Sequence, residues 1–292
     1  MERIDKVVFG DNQFFGINHR SQDKAEELAQ KFSDLKNILD VYDCAFDSGV
    51  TAVMLNSNQK AMEITDYFRS HKDKYGEIAW YPSIPYPHKY ADMVNELGIF
   101  PAIKEAIFSN NSTMGVLGML AKGATIAVNK DPLKVMEMLI DVEYKIFKGL
   151  NVKVLFLQNV VTDLLLGMNL KDVFIHYCEY IKKKYKIIPG FITLNLPYIL
   201  DKLNEWGIEE VCICSSINAA GFNMYPSKEE YERVILENNP SKFQLMAMNV
   251  LASGSISPKQ SFDYVNSLNV QSVVFGASSK SHIQSSIEQI KL

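Results

Sequence analysis

A chain of 292 residues that is 47% hydrophobic and 22% charged, with a formal net charge of −4, is neither a disordered nor a fibrous protein, and it has no basic footprint for nucleic acid. No apolar run reaches the roughly 18 residues of a membrane-spanning helix. The opening Met-Glu-Arg-Ile-Asp-Lys has no signal-peptide core, so a cytoplasmic protein without membrane or nucleic-acid partners is expected.

Short apolar runs alternate with longer segments of helical period, the signature of successive βαβ units. The runs Lys6–Phe9, Thr51–Leu55, Ile78–Tyr81, Lys153–Leu157, Ile187–Thr193, Glu210–Cys214, Gln244–Met248 and Ser272–Phe275 predict eight parallel strands. Helices are expected over Leu35–Phe46, Leu196–Trp206 and Ser281–Ile290, the first two closed by Gly49 and Gly207, glycines that accept the left-handed conformation past a helix end. A single (β/α)8 barrel over 1–292 accounts for this rhythm. A doubly wound open sheet is the weaker reading, since no GxGxxG follows the first strand.

The first strand runs into Gly10-Asp-Asn-Gln-Phe-Phe-Gly-Ile-Asn-His-Arg20, a dense polar cluster. Asp11 and His19 are candidate acid and base groups there, and Asn12 and Asn18 could orient a carbonyl. The plainer reading is a glycine-bracketed turn in which Phe14 and Phe15 cap the barrel. The third strand is followed by an insertion of approximately 83–131, marked by Pro85, Pro87 and Pro101 and by an apolar stretch dotted with glycine. It stands where barrel active sites lie and could serve as a lid; Thr113–Leu117 within it could be a strand instead. Tyr86, His88 and Lys89 open it, with Lys89 a candidate amine nucleophile and the other two candidate substrate contacts.

Several strands end in carboxamides: Asn56 and Asn58, Gln158 and Asn159, and Asn195. Amides do not titrate near neutrality, but they donate and accept at once, which suits a small polar ligand. Ser253-Gly254 after the seventh strand and Gly276-Ala-Ser278-Ser279-Lys280 after the eighth predict a phosphate site of backbone amides, hydroxyls and one ammonium. A serine-capped helix is the plainer alternative. Five histidines without HxH or HExxH spacing predict no metal site, and Cys44, Cys178, Cys212 and Cys214, without CxxC spacing, read as free thiols.

Val273-Val-Phe-Gly-Ala-Ser-Ser-Lys-Ser-His-Ile-Gln-Ser-Ser-Ile287 resembles the cofactor-phosphate segment of the aldo-keto reductases, and Leu245-Met-Ala-Met-Asn-Val-Leu-Ala-Ser-Gly254 resembles their seventh strand and its Leu-x-x-Gly turn. Ala45-Phe-Asp-Ser-Gly-Val-Thr51 and Pro189-Gly-Phe-Ile-Thr193 are similar to shorter stretches of the same family. The resemblance implies a (β/α)8 barrel that reduces carbonyls with a nicotinamide cofactor, using Asp, Tyr, Lys and His at the ends of the second, third and fourth strands. Here those ends read Asn56-Ser-Asn58, Pro82-Ser83 and Gln158-Asn159, so all four roles are vacant. The sixth strand lacks the family's nicotinamide-holding glutamine and tyrosine. NAD(P) is therefore a candidate cofactor but not the favoured one, and oligomeric state is left open. The expectation is an enzyme moving protons on a small polar metabolite, phosphorylated or not, as a lyase, isomerase or aldolase does. A divergent NAD(P)-dependent oxidoreductase and a non-catalytic ligand-binding barrel are the alternatives.

Overall fold

The computed structural model describes residues 2–15, 22–58, 60–85 and 132–292. Its strands are β1 (Val7–Phe9), β2 (Ala52–Asn56), β3 (Ala79–Ile84), β4 (Asn151–Val152), β5 (Val154–Leu157), β6 (Ile188–Thr193), β7 (Val211–Ser216), β8 (Phe243–Met248) and β9 (Ser272–Phe275). All pair in parallel, and the pairs β1–β2, β2–β3 and β1–β9 bring the sheet round on itself. β4 and β5 are two pieces of one barrel strand. Both lie on β3, and Lys153 between them keeps the ladder by donating its N–H to Trp80 O at 3.0 Å. The result is a closed barrel of eight parallel strands, not an open sheet.

Such strands are buried on both faces, which is why they read as near-continuous apolar runs. The period of two divides each run between two cores. One face fills the barrel with Val8, Met54, Tyr81, Phe156, Cys214 and Met246. The other, carrying Phe9, Trp80, Phe191 and Val273, meets the helices. Trp80 therefore points outward onto Phe68, with ring centroids 5.3 Å apart, and not toward the mouth. Phe14 likewise packs against Phe32 and Tyr42, at 5.1 and 5.0 Å, in the outer core and not over the barrel.

The expected helices form as α2 (Leu35–Asp47), α8 (Leu196–Trp206) and α11 (Lys280–Gln289). Asn195 caps α8 by accepting from Tyr198 N, and Gly207 ends it at φ +70°. The remaining described α-helices are α1 (Gln22–Lys31), α3 (Ala61–Ser70), α4 (Lys72–Tyr75), α5 (Pro132–Tyr144), α6 (Asn159–Gly167), α7 (Lys171–Lys184), α9 (Lys228–Glu237) and α10 (Pro258–Asn266). β3 runs on through Ser83 and Ile84, past the predicted end at Tyr81. Most of the expected insertion, including Thr113–Leu117, lies outside the described residues.

The N-terminal segment closes the bottom of the barrel. Ile4 is buried with the inner core, and its N–H donates to Gln244 Oε1 at 2.8 Å. Tyr81 donates its hydroxyl to Asp5 Oδ2 at 2.6 Å, and Lys153 Nζ stands 3.1 Å from the same oxygen. The strands terminate at the opposite end, the one at which barrel enzymes carry their active sites.

Candidate functional site

Asp11 follows Gly10 at the end of β1 and opens the short 3-10 turn Asn12–Phe15, with Phe14 N donating to Asp11 O at 2.9 Å. Its carboxylate is turned across to the end of β2. Asn56 donates its backbone N–H to Oδ2 at 2.8 Å and its side-chain Nδ2 to both carboxylate oxygens at 2.9 Å. Burial pushes the Asp11 carboxyl up from its ordinary 3.8 to about 6, against the lowering effect of the bonds from Asn56.

Alternation places the next members. Asn56, Ser83 and Gln158 stand two residues beyond Met54, Tyr81 and Phe156, so all three continue inward-facing rows. In register Asn56 pairs with Ser83. Ser83 Oγ donates to Asn56 Oδ1 at 2.6 Å, Gln158 Nε2 donates to the same oxygen, and Gln158 Nε2 also lies 3.0 Å from Ser83 Oγ. The ends of the first four barrel strands are thus joined into one buried network, in which Asp11 is the one ionisable member among the described residues.

The other predicted amides are distributed differently. Asn58 is buried, its Oδ1 accepts from Lys60 N at 2.9 Å, and its Nδ2 has no partner among the described residues. Asn12 is exposed, Asn159 begins α6, and Asn195 serves as the α8 cap. Asn18, His19, Tyr86, His88 and Lys89 lie outside the described residues.

At the proposed phosphate site Ser253 takes a left-handed φ of 56° and Gly254 one of 78°. Ser279 Oγ caps α11 by accepting from His282 N, Ser278 O accepts from Lys31 Nζ at 3.4 Å, and Lys280 is exposed. Gly276 is pressed against Gln13: a Cβ there would stand 2.1 Å from Gln13 Oε1. Gln13 Nε2 donates to Gly10 O at 2.7 Å, which leaves Oε1 buried without a partner among the described residues. This acceptor is suited to a ligand hydroxyl or N–H, whereas a bare phosphate oxygen offers it nothing.

Tyr42 was not legible as a site residue. It sits on the buried face of α2, its hydroxyl has no partner among the described residues, and burial together with the Asp11 charge raises its pKa. A tyrosine on a core-facing helical stripe is the signal that could have found it, because a buried phenol seeks a partner. Asp163 was missed too. It is a lone acid in the apolar α6, and it accepts from Thr193 Oγ1 and from Leu194 N at 3.0 Å.

No group of three or more His, Cys, Asp or Glu able to hold a metal occurs among the described residues. The four cysteines are free, and burial raises the thiol pKa values of Cys212 and Cys214 inside the barrel. No described helix is long and apolar enough to cross a membrane.

The closed ring of eight parallel strands with its surrounding helices is a (β/α)8 barrel. Among solved structures the chain is similar to a protein of Pseudomonas aeruginosa assigned to the aldo-keto reductases, with 12% identity, a TM-score of 0.61, and 98% of this chain and 89% of that one covered. It is similar to an aldo-keto reductase of Bacillus halodurans solved in its holo form, with 10% identity, a TM-score of 0.54, and coverage of 98% and 87%. The aldose reductase of Schistosoma japonicum matches at 10% identity and a TM-score of 0.51, with coverage of 100% and 88%. At such identities the likeness is one of fold. No family model matches the sequence, and no curated protein matches it.

As to a nicotinamide, the strand ends Asn56, Ser83 and Gln158 hydrogen-bond to one another. Amides and a serine hydroxyl bonded in this way do not supply the acid that a carbonyl needs as hydride arrives, so these three side chains do not fit that chemistry.

Proposed function

We propose that this barrel is an enzyme that transfers protons on a small polar hydroxy-carbonyl compound, phosphorylated or not, in the manner of an isomerase, lyase or aldolase. One observation carries the reading: at the catalytic end of the barrel a buried carboxyl, Asp11, has a pKa of about 6 and is fixed in place by two N–H groups of Asn56. A group tuned this close to neutrality can both take and return a proton. Asp11 would accept the proton from a carbon beside the substrate carbonyl. The C–H electron pair forms the double bond of an enediolate as the carbonyl pair moves to oxygen; the proton is then returned at the neighbouring carbon while the substrate's own hydroxyl proton passes to that oxygen, or it is given to an oxygen departing from the next carbon. Asn58 Nδ2, a buried donor without a partner among the described residues, suits the oxygen on which charge develops. Ser253, Gly254, Ser278, Ser279 and Lys280 would receive a substrate phosphate, with Gly276 set against Gln13 and outside that contact.

The test is deuterium incorporation. Protein incubated in D2O with a panel of small aldoses, ketoses and their phosphates should exchange a substrate C–H, followed by proton NMR. Asp11→Asn should slow the exchange by about 100-fold or more, and the wild-type rate should rise as Asp11 ionises through a pH of about 6. Exchange unaltered by Asp11→Asn would remove Asp11 from the chemistry.

A nicotinamide-dependent oxidoreductase is the second reading, favoured by the likeness of fold to aldo-keto reductases. Calorimetric titration with NADPH separates the two: saturable binding favours it, and its absence up to millimolar cofactor removes it. A barrel that only binds its ligand would retain affinity for a compound it never exchanges.

A further inference from the structure

The Asn56 carboxamide joins the two halves of the strand-end network. Its Nδ2 faces the Asp11 carboxylate, 2.9 Å from both oxygens, and its Oδ1 takes two donors, Ser83 Oγ at 2.6 Å and Gln158 Nε2. A carboxamide turned through a half-circle keeps almost the same shape, with its oxygen and nitrogen exchanged. Its partners therefore decide which end faces Asp11.

While Asp11 is ionised it can only accept, and it holds Nδ2 toward itself. A carboxyl that moves protons is neutral for part of each cycle, and a neutral carboxyl can donate. It would then draw Asn56 Oδ1 toward itself and stabilise its own neutral form. Ser83 and Gln158 oppose that reversal, because turning the amide takes Oδ1 from both donors and sets Nδ2 against Gln158 Nε2. Each of the two is fixed from its own strand. Ser83 stands in β3 in register with Asn56, and Gln158 donates its backbone N–H to Ile84 O at 2.9 Å. Asn56, Ser83 and Gln158 are all buried, where a donor or acceptor deprived of its partner is costly.

We propose that Ser83 and Gln158 are positioning residues, which hold the Asn56 carboxamide with Nδ2 toward Asp11 whether that carboxyl is charged or neutral. A site kept in one arrangement through the proton transfer has no reorganisation to perform. The proposal rests on the reading of Asp11 as the proton-transferring group, but its test needs no substrate, so the two fail separately.

The test is carbon-13 NMR of the Asp11 carboxyl in the full chain, titrated from acid to alkaline pH. Ser83→Ala removes the hydroxyl, and Gln158→Met removes the Nε2 donor at similar volume. Either should raise the Asp11 midpoint, about 6 in wild type, by about one pH unit. Tyr42, which feels the Asp11 charge, is held neutral by burial through this range, so the midpoint reports Asp11. Asn56→Ala separates positioning from a direct effect: in that background Gln158→Met should move the midpoint no further. A midpoint unchanged in both single variants, or shifted as much by Gln158→Met with Asn56→Ala as without it, would overturn the proposal.

Discussion

Asp11 shows what a single side chain inherits from its surroundings. Its carboxyl titrates near 6 in the folded protein and near 3.8 when exposed. Between those values the native state holds a proton that the unfolded chain has already lost. Stability should therefore fall as pH rises from about 4 through about 6, by about 2–3 kcal/mol. Thermal melts across that range should show the decline in wild type and not in Asp11→Asn, and parallel curves for the two would contradict it. Asp11 stood out in the sequence for its polar loop, and Asn56 for ending a strand. That the one is held by the other was not legible, because 45 residues separate them and only barrel closure brings β1 beside β2. Gln13 and Tyr42 were hidden for the same reason, since each has a buried oxygen that distant elements enclose and leave without a partner among the described residues.

At the scale of elements, local rules placed the eight expected strands and the three expected helices to within a few residues. α8 has the bounds its pattern predicts, from the Asn195 cap to Gly207, and Gly207→Ala should cost about 1 kcal/mol because φ is +70° there. Strand ends were less legible. Pro82-Ser83 and Ser215-Ser216 look like turn residues, yet they continue β3 and β7 because a neighbouring ladder is present, Ser83 pairing with Asn56 and Ser216 with Met248. Inside β6, Gly190 is required by close approach: a Cβ would stand 2.5 Å from the Phe156 ring and 2.7 Å from Val154. Gly190→Ala should destabilise by about 1–3 kcal/mol in urea unfolding through overpacking of the barrel interior. A smaller effect would mean that Phe156 turns aside freely.

For the whole molecule, the fastening of the N-terminal segment is a long-range feature. Asp5 meets Tyr81 and Lys153 at the bottom of the barrel, and Gln244 holds Ile4. Asp5→Ala and Tyr81→Phe, combined in a double-mutant cycle, should show a coupling of about 1 kcal/mol. Additive effects would mean that the segment rests on Ile4 burial alone.

By itself the sequence determined the class of fold, because apolar runs buried on both faces, alternating with amphipathic helices, have few solutions other than a parallel α/β barrel. It also determined that several strand ends carry amides and serine, side chains that do not titrate near neutrality. Only the tertiary structure decided that Asn56, Ser83 and Gln158 bond to one another, that Asp11 is held by Asn56, and that Asp163 accepts from Thr193 and Leu194. The reason is physical: local propensity and period act within a turn or a strand, whereas burial, pKa and hydrogen-bond partnership are set by residues far apart in the chain that closure of the barrel brings together.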